Sequence, residues 1–84
     1  DVRCVSSLRE RGVSLVEIKL TPMSPFIGQR GIDLPLPPEA RLMCLARGQA
    51  AVFDLQQEPL CVGDVLFVLC RDIRAVRQAL QLEC

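Results

Sequence analysis

The chain has no histidine, no tryptophan and no tyrosine, and its only aromatic side chains are three phenylalanines. Without histidine it cannot assemble a Ser-His-Asp triad, a Cys-His nucleophile pair or an imidazole metal site. A basic surplus is missing too: ten Lys and Arg balance ten Asp and Glu, giving a formal charge of zero. Nucleic-acid binding ordinarily rests on excess positive charge gathered on one face, so the balance argues against that partner class. No Gly-x-Gly-x-x-Gly and no Walker-type glycine loop occur, which leaves no fingerprint for a dinucleotide or a nucleoside triphosphate. The longest uninterrupted apolar run, Val65 to Cys70, is far short of the ~20 residues that span a bilayer. No apolar segment follows Asp1 and Arg3 as it would in a signal peptide. The opening Asp1, in place of Met, fits a piece of a longer protein.

Hydrophobic residues are plentiful. They make up half of the 84, yet a domain this small buries only about 60% of the surface its unfolded chain exposes. So large an apolar share is hard to hide in one protomer, and a second copy, or another part of a longer chain, is expected to cover one face. The five cysteines, Cys4, Cys44, Cys61, Cys70 and Cys84, are odd in number and irregular in spacing, with no C-x-x-C. A reducing cytosol, with cysteine serving as a small core hydrophobe, is the expected account. Cys70 precedes Arg71, a cation that could favour a thiolate, but it ends an apolar run, so burial is expected there.

Along the chain, residues 1–13 read as a linker or the end of a preceding helix, with the charges Arg9-Glu10-Arg11 stopped by Gly12. Residues 14–84 read as one domain. From Ser14 to Leu20 the pattern alternates, with Val16, Ile18 and Leu20 on one face and Glu17 and Lys19 on the other, as a half-buried strand does. Thr21-Pro22 ends it. Ser24-Pro25 predicts a helix start, and Gly28 and Gly31 limit it to a short helix or 3₁₀ turn over about Ile27 to Asp33. Leu34 to Pro38 is an extended connector. Arg41 to Ala46 and Ala50 to Leu55 are strands joined by a hairpin at Arg47-Gly48-Gln49. Gly63-Asp64 makes a tight turn into Val65–Cys70, apolar on both faces like a central strand. Asp72 then caps a final helix with Ile73, Val76 and Leu80 as its buried stripe. The expected class is α+β, in the order β-α-β-β-β-α, with a mostly antiparallel sheet and its helices on one side.

Three landmarks stand in a characteristic order: Val16-Glu17-Ile18 leading to Ser24-Pro25-Phe26-Ile27-Gly28; Leu45-Ala46-Arg47-Gly48; and Leu60-Cys61-Val62-Gly63-Asp64-Val65-Leu66-Phe67-Val68. Across roughly residues 14 to 82 this set resembles the TrkA-C domain, also called the RCK-C domain. The double proline Pro37-Pro38 and the apolar Leu60-Cys61 depart from the usual pattern. The resemblance implies a non-enzymatic regulatory module with no cofactor of its own, on the cytoplasmic side of bacterial potassium and other cation transport systems. It implies a homodimer attached to the membrane-embedded transporter or channel portion of the same or a partner chain. Some relatives bind cyclic di-AMP between two such domains.

On the residues themselves, Arg41, Met43, Leu45 and Arg47 share one face of the second strand by period two. Two guanidinium groups flanking an apolar strip could hold a phosphorylated purine at a dimer seam, so these four form the expected ligand site. Arg41 and Arg47 would equally mark the solvent-exposed ends of a strand. Arg71, Arg74 and Arg77 read as a solvated helix face. Asp33, Asp54, Glu58 and Asp64 are scattered over loops without metal-binding spacing, and Asp64 is expected to cap the Gly63 turn. No metal site is expected.

Overall fold

The apolar run Val65–Cys70 lies in the middle of the sheet, paired along both edges and sending its side chains alternately to the two faces. In the computed structural model, which describes residues 2–8 and 11–82, the elements are β1 (Val2–Leu8), β2 (Val13–Lys19), β3 (Ala40–Arg47), β4 (Ala50–Val52), β5 (Val65–Cys70) and α1 (Ile73–Ala79). Across the sheet the order is β1-β2-β5-β3-β4, and every neighbouring pair is antiparallel. The α+β class holds. The radius of gyration, 12.0 Å, is that of a single core for a chain of this length.

One side of the sheet, the inner face, is sealed. Val16 and Ile18 of β2 and Leu66, Val68 and Cys70 of β5 point to it, and Val76 of α1 and Leu80 at its C-cap close over them, all buried. Burying one such side chain contributes about 1.5–3 kcal/mol. That contribution holds α1 in place, since a helix of seven residues has little stability alone. Its ends are capped as well. Asp72 accepts from the Arg74 N–H at 2.9 Å. At the other end Leu82 N–H reaches Arg77 C=O and Gln81 N–H reaches Gln78 C=O, with Gln81 at φ 55 in the left-handed region usually given to glycine.

Two expectations are corrected. Residues 2–8 form β1, which pairs with β2 from Val2 opposite Ile18 to Leu8 opposite Val13, instead of a linker or a helix end. The charged stretch behind that reading, Arg9-Glu10, lies outside the described residues. The short helix or 3₁₀ turn expected over about Ile27 to Asp33 is a 3₁₀ turn limited to Gly31–Asp33, so the expected order with two helices is not met: among the described residues α1 is the only α-helix. The cause is tertiary. Gly28 takes φ 86 and gives its N–H to Leu60 C=O at 2.7 Å, while Leu60 N–H returns to Gln29 C=O at 2.8 Å. Bonds to a distant loop have replaced those of a helical turn. Ser24 caps no helix; its Oγ accepts the Thr21 N–H at 2.9 Å and closes a turn instead. Gly31 is buried, and a β-carbon there would sit 2.9 Å from the Leu42 side chain and 3.1 Å from Leu55 Cβ, so the position requires glycine.

The third expected strand is also shorter, Ala50–Val52 instead of Ala50–Leu55, because Asp54 Oδ1 accepts the Gln57 N–H at 3.1 Å and turns the chain away. The hairpin before it is as expected: Arg47 pairs with Ala50, and Gly48 at φ 62 fits the first central position of a two-residue loop.

Candidate functional site

The strand carrying the expected ligand residues has a bulge. Leu42 faces Val68 and Cys44 faces Phe67, so Met43 is an extra residue without a partner of its own. Alternation is shifted by one from that point. Arg41 lies on the outer face with Cys44 and Ala46; Leu45 and Arg47 lie on the inner side with Leu42. The shared face of Arg41, Met43, Leu45 and Arg47 is therefore corrected: a period-two count cannot survive an inserted residue. Leu45 is fully buried and has no surface to offer a ligand. Met43 stays open at the bulge, 49% exposed. Arg41 is exposed and turns one guanidinium nitrogen, Nη1, to the carbonyls of Pro38 and Ala40, each at 2.8 Å.

Arg47 is engaged on every nitrogen. Nε donates to Asp64 Oδ1 at 3.0 Å and Nη2 to Asp64 Oδ2 at 2.9 Å, a two-pronged pair. Nη1 donates to Glu58 Oε2 at 3.2 Å, and Nη2 also reaches Pro59 C=O at 2.9 Å. Asp64, only 1% exposed, accepts the Cys61 N–H at 2.9 Å as well. Its backbone carbonyl takes the Leu20 N–H, while the neighbouring Gly63, at φ 90, donates its own N–H to Leu20 C=O. Burial alone would raise the Asp64 pKa; the Arg47 hydrogen bonds and the Cys61 N–H outweigh it and hold the carboxyl below its ordinary value. The same Asp64 hydrogen bond pushes Arg47 still further above its usual range. This clasp, joining the β3–β4 hairpin to the turn before β5, was missed in the sequence. Asp64 was expected to close its own turn, which it does through Cys61, but nothing in the spacing tied it to Arg47.

Other charges pair locally. Arg30 binds Asp33 at 3.0 Å and Arg71 binds Glu39 at 2.9 Å. Among the described residues no three His, Cys, Asp or Glu side chains gather as a metal site would need. Of the cysteines, Cys70 is buried as expected and Cys44 half-buried, whereas Cys4 and Cys61 are exposed, correcting their reading as core hydrophobes. Cys84 lies outside the described residues. A cleft of about 260 Å³ opens between the end of β2, the turn at residues 21–26 and the end of α1. Its hydroxyls, Thr21 and Ser24, are occupied by their own turn.

The outer face of the sheet is a further apolar surface. β5 presents Val65, Phe67 and Leu69 there, β2 presents Val13 and Leu15, and β3 presents Cys44 and Ala46, all half-buried by their neighbours, and no other element among the described residues packs over them. Glu17, Lys19 and Arg41 are the charges on β2 and β3 of that face. No helix among the described residues is long and apolar enough to cross a membrane. A comparison with protein-family models finds no match for this chain, and a search of curated proteins finds none.

Proposed function

We propose that the chain is a non-catalytic regulatory domain of a cation transport protein, most specifically a potassium system, placed at the cytoplasmic side of the membrane. It would work as a homodimer beside the membrane-embedded transporter or channel portion. A small effector lodged between the protomers, a nucleotide such as cyclic di-AMP, would favour one relative orientation through contacts it makes in that orientation alone. The observation that carries this reading is the uncovered apolar face of the sheet, which a paired domain uses and a lone one leaves in water. The ordered landmarks running from Val16 to Val68 support the same reading. Arg41 and Met43, exposed at the β3 side of that face, supply a cation and a polarizable apolar contact for a phosphorylated base.

Thermal unfolding with and without cyclic di-AMP tests it. At a hundredfold excess over Kd the midpoint is expected to rise on the order of 10 °C, and Arg41→Ala is expected to remove most of that rise. A second reading has its own support: with Leu45 buried and Arg47 fully engaged, half of the expected ligand strip is spoken for. In that reading the domain only holds transporter or channel subunits together, and a tight dimer unfolds at the same temperature whatever nucleotide is added.

A further inference from the structure

We infer that the outer face of the sheet is covered by the same face of a second copy of this chain, the two sheets packing as a sandwich about a twofold axis that runs along β5. The inference rests on the homodimer proposed above and gives it a surface and a register.

The edges of the sheet are poor alternatives. β1 is broken by a bulge between Cys4 and Ser6, and β4 is only three residues long. Both features blunt strand-to-strand addition. The face offers more. Its middle strand carries Val65, Phe67 and Leu69, so an axis along β5 sets each of these against its own copy.

The flanks then fit by size and by sign. Reading across the sheet, Leu15, Leu69 and Arg41 share one row, Glu17, Phe67 and Cys44 the next, and Lys19, Val65 and Ala46 the third. Rotation about β5 lays β2 of one copy over β3 of the other. The long Glu17 and Lys19 side chains come to rest over the small Cys44 and Ala46, and Glu17 lies one row from the second copy's Arg41. A twofold axis running across the strands through Phe67 would instead stack Glu17 on Glu17, which like-charge repulsion opposes.

The chain exposes 5651 Å² in all, more than the roughly 5,000 Å² usual for a folded monomer of 9.3 kDa, in keeping with a face left for a partner to cover.

Sedimentation velocity over a range of concentrations tests the surface. The native chain is expected to dimerise, and Phe67→Glu, which brings two carboxylates together on the axis, to weaken association on the order of a hundredfold with the circular dichroism spectrum retained. Should Phe67→Glu fail to fold, Glu17→Arg and Arg41→Glu give the same reading from the rim. Each alone is expected to weaken the dimer by about threefold and the pair together to restore it. A dimer that none of these substitutions weakens overturns this surface and leaves the pairing itself intact. A native chain that stays monomeric at high concentration overturns both.

Discussion

On the inner face of the sheet, Ile18, Leu66, Val68 and Cys70 are sealed beneath α1 and the long connector. On the outer face, Leu15, Val65, Phe67 and Leu69 come from the same two strands, have the same apolar character and stay half open. β5 contributes equally to both sides, so its composition alone does not tell inside from outside. The distinction comes from β2, whose Glu17 and Lys19 mark the outer side, and from α1, which is long enough to cover only one. The lesson concerns completeness. A strand apolar on both faces asks for two coverings, and the described residues supply one.

Truncation of matched residues sharpens the contrast most. Leu66→Ala, on the inner face, is expected to cost about 2–5 kcal/mol by denaturant unfolding at any protein concentration. Leu69→Ala, its outer neighbour on β5, is expected to leave dilute protein nearly as stable. Its cost should grow with concentration, because it falls on association. Equal, concentration-independent losses at the two sites would erase the distinction.

The clasp comes next in size. Asp64→Ala removes a buried carboxylate and strands the Arg47 guanidinium, with an expected loss of about 3 kcal/mol. The acid limb of the stability curve gives a second readout. Asp64 has a folded pKa below its unfolded value of about 4. Its contribution is therefore whole above pH 4 and is lost as pH falls through the depressed folded value. The variant should show a shallower decline over that acid range. An unchanged slope would mean that other carboxylates govern acid unfolding.

The smallest effect compares two thiols. Cys70 lies on the inner face and is 2% exposed, and burial, with Asp72 and Cys4 nearby, pushes its pKa up. Cys44 lies half-buried on the outer face. In dilute protein, iodoacetamide is expected to label Cys44 well before Cys70, and raising the protein concentration is expected to slow Cys44 alone. Since the Cys70 folded pKa exceeds its unfolded one, the matching loss of stability begins only as pH climbs above about 8.5. If Cys44 reacts at the same rate at every concentration, the outer face stays open.

Much of the fold was legible in short-range pattern. The alternation of β2, the Arg47-Gly48-Gln49 hairpin, the Gly63-Asp64 turn, the central place of β5 and the Asp72 cap all follow from local residue chemistry. What escaped depended on distant partners. β1 carries no clean period, and its pairing with β2 makes it a strand. The Ser24-Pro25 start and the residues after it would suit a helix, but Leu60 takes the Gly28 N–H. The bulge at Met43 is invisible to a counting rule, and with it went the expected ligand strip. Arg47 and Asp64 stand 17 positions apart, and no motif links them.

The extra residue at Met43 also decides which way the far half of β3 points. Were Met43 drawn into the ladder opposite Phe67, Leu45 would swing to solvent and Arg47 would move to the opposite side, leaving the buried Asp64 without its guanidinium partner. Sliding β3 by one place along β5 carries the same penalty. The inserted methionine and the ion pair behind it thus act together as a key and its lock, permitting a single alignment of β3 against β5.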